Sequence, residues 1–193
     1  IEWVPESEGS DKYIAKLIKN ADTENGEAFK YFTKKGYKVD ITDLKGDSSD
    51  VKGKLEAVDV IYVTGGDPNY LVDWARKAGL GKYLKDLLDN GVLYVGQSAG
   101  SQVVLPDFGL TWWNPEKWQN KDRVGLGVVD FVLVPHQSDN DPEKTEGALT
   151  KKKGYLQSII DFPWRVYMLK DGQAIKVDGD RVEHIGPGEK RVV

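Results

Sequence analysis

The segment Gly91-Val92-Leu93-Tyr94-Val95 constrains the fold of this chain more than any other. It is apolar on both faces and runs directly into Gly96-Gln97-Ser98-Ala99-Gly100, a stretch of mostly small residues. A strand without polar alternation belongs inside a parallel sheet covered by helices. Small residues just after it mark a tight bend into a helix, where larger side chains would collide. Val58 to Val63 is a second strand, rich in β-branched residues and closed by Gly65-Gly66, and Tyr37 to Ile41 is a shorter one. Leu71 to Arg76 and Tyr83 to Leu88 carry helical spacing, with Leu84, Leu87 and Leu88 on one face. This alternation predicts an α/β fold: an open, mostly parallel, doubly wound sheet with helices on both faces.

The second half is less regular. Ser101 to Leu105 reads as a short helix after the small-residue bend. Pro106 to Asp122 holds Trp112, Trp113 and Trp118 and reads as an excursion, either a cover for a site or a local aromatic cluster. Phe131 to Val134 is an apolar strand stopped by Pro135-His136, and Arg165 to Leu169 is strand-like. Glu143 to Ile160 reads as a helix weakened by Gly147 and Gly154. At the C-terminus, Gln173 to Val177 and Arg181 to Ile185 predict a small antiparallel meander joined at Asp178-Gly179-Asp180. With 193 residues and no repeat or linker, residues 1–193 are expected to form a single α/β domain. Ile1 to Pro5 reads like the end of a strand already in progress, so an upstream segment is expected.

Charge and composition narrow the partners. A net charge of −4 argues against nucleic acid or an anionic membrane as the main partner, since both call for a basic face. The run Lys151-Lys152-Lys153 fits a solvated helix face. The chain has no cysteine, which excludes a disulfide scaffold and a thiolate nucleophile. It shows neither a membrane-length apolar stretch nor a signal-peptide pattern, so a cytoplasmic protein is expected.

The chemistry centres on Gly-x-Ser-x-Gly after a buried strand, the nucleophile-elbow pattern. There the serine hydroxyl stands exposed above the sheet, and the N–H of Ala99 opens toward an incoming oxyanion. The alternative is a tight turn whose serine only caps the helix. A serine nucleophile needs a base, and there are two histidines. His136 follows a strand and shares the carboxyl edge of a parallel sheet with Ser98, whereas His184 lies in the meander and suits packing. A carboxylate should orient the base; Asp139, Asp141 and Asp171 are the candidates, and Asp171 again follows a strand. Gly65-Gly66-Asp67 closes another strand and lets backbone N–H groups approach a ligand, or simply turns the chain with Asp67 as a helix cap. Gly65, Asp67 and Gln97 are the candidate substrate contacts. The Gly-Gly block lacks the third glycine of a dinucleotide fingerprint, and no P-loop or histidine–carboxylate metal spacing occurs, so neither cofactor nor metal is expected.

Taken together, Ile61-Tyr62-Val63-Thr64-Gly65-Gly66-Asp67, Gly91 to Gly100 and Leu133-Val134-Pro135-His136 resemble the dipeptidase E / cyanophycinase family of serine peptidases, whose fold is similar to class I glutamine amidotransferases. The resemblance runs from about Trp3 to the meander. It implies Ser98 as nucleophile, His136 as base, Asp171 as third member, and the Gly66 and Ala99 N–H groups as oxyanion hole. It also implies a strand and helix before the segment matching Trp3-Val4-Pro5, a start expected to be absent from this sequence. Asp67 stands where the dipeptidases often carry asparagine. Gln137 to Trp164 contains no arginine, so aspartyl-dipeptidase specificity is not expected, and cyanophycin hydrolysis is not favoured. The expected function is a serine peptidase of short peptides, a monomer or homodimer. The alternatives are a small-molecule esterase or amidase, or an inactive amidotransferase-like binding or scaffolding domain.

Overall fold

The computed structural model describes residues 13–18, 26–111, 123–138, 140–141, 145–159 and 161–193. The chain divides into two compact units, the first running to Val104 and the second beginning at Leu105.

The first unit contains β1 (Tyr13–Ile18), α1 (Glu27–Lys34), β2 (Lys38–Asp43), α2 (Ser48–Glu56), β3 (Val60–Val63), α3 (Pro68–Lys77), α4 (Leu80–Asp89), β4 (Leu93–Gly96) and α5 (Ala99–Gln102). Its four strands are all parallel and lie in the order β2-β1-β3-β4. The chain steps one way from β1 to β2, then returns past β1 to β3 and β4. Right-handed crossovers therefore place α1 on one face and α2 to α4 on the other, the doubly wound arrangement expected above. On the α1 face, Phe32 meets Tyr62 edge-on at 5.0 Å and packs with Val39, Val60, Leu93 and Val95. Ile61 and Val63 point the opposite way and are 0% and 1% exposed, so β3 is buried on both sides.

Three elements of this unit, β1, α1 and α2, have no counterpart in the sequence reading. β1, at the centre of the sheet, contains Ala15 and Lys16, poor strand formers that break its pattern. α2 is announced by a cap rather than by periodicity: the Asp47 carboxylate accepts the Ser49 N–H at 2.9 Å. The helix after Ser98 is shorter than expected, ending at Gln102, with Val103 to Leu105 in the following turn and bend.

The second unit contains a 3₁₀ turn (Gly109–Thr111), β5 (Val132–Val134), α6 (Glu146–Ile159), β6 (Val166–Met168), β7 (Ala174–Asp178), β8 (Arg181–Ile185) and β9 (Arg191–Val192). β5 and β6 pair in parallel, and β9 joins β6 antiparallel. β7 and β8 form a separate hairpin in which Asp178 pairs with Arg181, so Asp178 belongs to the strand and the loop is Gly179-Asp180. On α6, Lys153 Nζ donates to the Val193 carbonyl at 2.9 Å. The base of the excursion is pinned: the Phe108 N–H donates to the Arg123 carbonyl at 2.8 Å, and Arg123 Nε donates to Asp107 at 2.7 Å. The three tryptophans, Asp139, and Ile1 to Pro5 lie outside the described residues. Among the described residues, no helix is long and apolar enough to cross a membrane.

Candidate active site

Ser98 sits at the bend between β4 and α5 with φ 53° and ψ −119°. A non-glycine residue held in such a region costs of order 1–3 kcal/mol and persists only where its surroundings dictate it. Here the dictation is visible. The Gln97 N–H donates to the Val63 carbonyl at 2.9 Å and ties the bend to β3. The Gly100 N–H donates to Gln97 O at 2.9 Å, and the Ser101 hydroxyl donates to Ser98 O at 2.5 Å. The Tyr94 hydroxyl donates to the Gly100 carbonyl at 2.7 Å; burial pushes this phenol far up, which keeps it a donor. The small residues are steric requirements. A β-carbon on Gly100 would lie 2.1 Å from the Val63 carbonyl oxygen, because α5 starts directly against the end of β3.

The Gly-Gly block comes to the same place. A β-carbon on Gly65 would lie 3.1 Å from Ser98 Cβ and 3.5 Å from its Oγ, so the block lies beside the serine side chain. Gly66 has φ 143°, a conformation open to glycine and rarely to other residues. Ala99 occupies the first position of α5, where its N–H has no carbonyl of that helix to bond. Gln97 is fixed by Tyr62, whose hydroxyl donates to Oε1 at 2.6 Å and leaves the amide N–H₂ as the group on offer. Asp67 is engaged as the cap of α3, its carboxylate accepting the Tyr70 N–H at 3.0 Å.

In the second unit, His136 Nδ1 lies 2.7 Å from Asp171 Oδ1. The parallel pairing of β5 with β6 sets this up. The Leu169 N–H donates to Val134 O at 3.0 Å, and Leu169 O accepts the Gln137 N–H at 2.8 Å. One residue thus grips the chain on both sides of Pro135-His136, and His136 bulges out between the two bonds with φ 60°. The imidazole is about half exposed, at 52%. Of the other candidate acids, Asp141 takes part in a turn to Ser138.

His184 takes the packing role expected of it. It stands edge-on to Tyr167 at 6.0 Å and contacts Gln173 at 3.3 Å. Burial, then the charge of Lys190, lower its pKa. Sequence reasoning passed over two residues. The Gln137 amide is buried with no hydrogen-bond partner among the described residues, and Gln173 is a buried hub of hydrogen bonds beside Asp171. Among the described residues no group of three or more histidine and carboxylate side chains is arranged to hold a metal ion.

Comparison with known proteins gives a consistent result. Peptidase E of Streptomyces coelicolor is 27% identical over 152 residues, covering 78% of this chain and 62% of that protein. An uncharacterized peptidase of Listeria monocytogenes is 29% identical over 153 residues, covering 76% and 70%. The chain therefore spans less than two thirds of the Streptomyces relative. The solved structure of a Listeria monocytogenes protein assigned to peptidase E superposes with a TM-score of 0.66 at 24% identity, over 92% of this chain and 87% of that one, a likeness of fold. The family model for Peptidase family S51 matches residues 14–185, which include the Gly-Gly block, the Ser98 bend, His136 and Asp171. By that match this chain belongs to peptidase family S51.

Proposed function

We propose that this chain is a serine peptidase that hydrolyses short peptides through an acyl-enzyme, with Ser98, His136 and Asp171 as its triad. The observation that carries the reading is conformational. Among the described residues, the non-glycine positions with positive φ are Ser98 and His136, the residues assigned as nucleophile and base. Strain held at two chemically complementary positions favours function over packing.

In this mechanism the Ser98 hydroxyl attacks the peptide carbonyl and gives its proton to His136 Nε2. The Nδ1–H of His136 faces Asp171, which fixes the tautomer and stabilises the imidazolium. The oxyanion is received by the N–H groups of Gly66 and Ala99. The imidazolium then protonates the leaving amine, which departs with the C–N bond. Water, deprotonated by the same imidazole, attacks the ester and releases the acid and Ser98. The order Ser98, His136, Asp171 differs from that of α/β-hydrolases, where the histidine comes last, and this favours a peptidase over an esterase of that type. The Ser98 bend and the His136–Asp171 pair disfavour an inactive scaffold.

The test is labelling by a fluorophosphonate probe, read by mass spectrometry, beside a peptide-library digest. The probe is expected on Ser98 in the native protein and absent in Ser98→Ala and His136→Ala. Full cleavage of a library peptide by folded Ser98→Ala would overturn the mechanism.

A further inference from the structure

We propose that Gln173 is a positioning residue for Asp171: its buried amide locks the turn that presents the carboxylate to His136. The proposal rests on reading Asp171 as the acid of the triad. Lys170, Asp171, Gly172 and Gln173 form a four-residue turn closed twice. The Gln173 N–H donates to the Lys170 carbonyl at 3.0 Å, and the Lys170 N–H donates back to Gln173 Oε1 at 3.0 Å. Gly172, with φ 87°, supplies the left-handed position such a turn needs. Across the side chain, Gln173 Nε2 donates to Pro187 O at 2.7 Å and Glu189 O at 2.9 Å. His184 Nε2 contacts Oε1 at 3.3 Å.

The chemistry of these partners fixes the amide. An amide nitrogen has two hydrogens and its oxygen two lone pairs, and here all four are used. Because Oε1 can only accept, His184 must carry its proton on Nε2. Its Nδ1 is buried without a partner among the described residues, so the neutral ring is favoured. The amide is 3% exposed and joins the turn, β8 and the β8–β9 loop. The loop sits hard against the turn: a β-carbon on Gly186 would lie 2.3 Å from the Gly172 carbonyl oxygen. The Asp171 side chain, by contrast, is 84% exposed. Packing does not hold an exposed carboxylate, so its reach to His136 follows from the backbone of the turn, and Gln173 holds that backbone.

The experiment uses Gln173→Met, which keeps length but makes none of the amide's hydrogen bonds. Two readouts apply: fluorophosphonate labelling of Ser98, and ¹⁵N-histidine NMR, which resolves two rings in a chain with two histidines. The expected result is a fall of about 100-fold in the maximal labelling rate with half-saturation unchanged within about twofold, the size of effect that about 1 Å of misplacement produces. The downfield Nδ1 proton of His136 should be lost as well. If only the His184 signals move while the His136 proton and the labelling rate stay native, Gln173 is merely structural and the proposal is overturned. Should Gln173→Met fail to fold, Gln173→Glu carries the test. Its carboxylate still accepts from Lys170 and His184 but cannot donate to Pro187 and Glu189, and protonating it at mildly acidic pH should restore the His136 proton. A native His136 proton in ionised Gln173→Glu overturns the proposal equally. Asp171→Asn separates the two readings: if it labels at the native rate, the triad assignment fails, while the His136 proton in Gln173→Met still reports on positioning.

Discussion

Gly65 and Ser98 are in side-by-side contact, so close that a β-carbon on the glycine would lie 3.1 Å from Ser98 Cβ. This contact joins the Gly-Gly block after β3 to the bend after β4, two strands paired with Val63 opposite Gly96. A methyl group there must push either the serine or the block. Gly65→Ala should therefore fold with a melting temperature within a few degrees of native yet label with fluorophosphonate several-fold more slowly, because the serine or the block must give by a few tenths of an ångström. Native labelling kinetics in folded Gly65→Ala would show that the block does not shape the nucleophile's surroundings.

Gly100 should behave differently, because the obstacle is backbone. Its added carbon would meet the Val63 carbonyl oxygen at 2.1 Å, and neither α5 nor β3 can move without breaking the bond from the Gln97 N–H to that carbonyl. Gly100→Ala is expected to destabilise the fold by at least the ~1–3 kcal/mol typical of overpacking. Urea unfolding followed by tryptophan fluorescence measures this as a lower midpoint with an unchanged slope.

Much of this arrangement is legible in the sequence, for a physical reason. Gly96 and Gly100 are small because backbones meet there, Gly65 because the Ser98 side chain lies against it, and Gly66 because it holds φ 143°; constraints of that kind leave a local trace. His136 and Asp171 are also legible, since each follows an apolar strand, and parallel pairing of those strands brings their ends together. β1 and Gln173 are not. β1 is central yet carries Ala15 and Lys16, so its identity depends on pairing with β2 and β3. Gln173 joins Lys170, three residues back, to partners 11 to 16 residues on, and nothing nearby in the sequence announces those distant ones. The Asp107–Arg123 pair is equally silent, its members being 16 residues apart.

That pair yields a prediction about pH. Asp107 is 2% exposed, bonded to Arg123 Nε at 2.7 Å and to the Gly109 N–H at 2.7 Å. Burial raises its pKa, while Gly109 and Arg123 pull the other way. A carboxyl whose folded pKa exceeds its unfolded value binds more protons when folded, so stability from this group is greatest in acid and declines as pH rises. Arg123→Met removes the opposing charge and strands a buried carboxylate, a loss of about 3–5 kcal/mol at neutral pH for a broken buried pair. Thermal melts of both proteins across pH should show the gap between them widest near neutrality and narrowing as the carboxyl protonates. A gap independent of pH would mean that Arg123 stabilises by packing alone.

His184 has the opposite sign. Burial, followed by Lys190, lowers its pKa below the usual 6.5. The folded state then binds fewer protons than the unfolded chain between the two values. The contribution is present in full above the unfolded pKa and is lost as pH falls through the folded one. In ¹⁵N-histidine spectra His184 should titrate with a midpoint below 6.5 and, while neutral, show Nε2 as the protonated nitrogen, because Gln173 Oε1 can only accept. Protonation would place a hydrogen on Nδ1, which is buried without an acceptor among the described residues. The bond to Gln173 survives that protonation, but the ring must leave its pocket or bury a charge. The local opening rate of the β7–β8 hairpin, read by amide exchange at Ala174 and Lys176, the positions that alternate with the closing Asp178–Arg181 pair, should therefore rise as pH drops through this range. A His184 midpoint at or above 6.5, or a protonated Nδ1 at neutral pH, would contradict both the tautomer and the hydrogen-bond arrangement around Gln173.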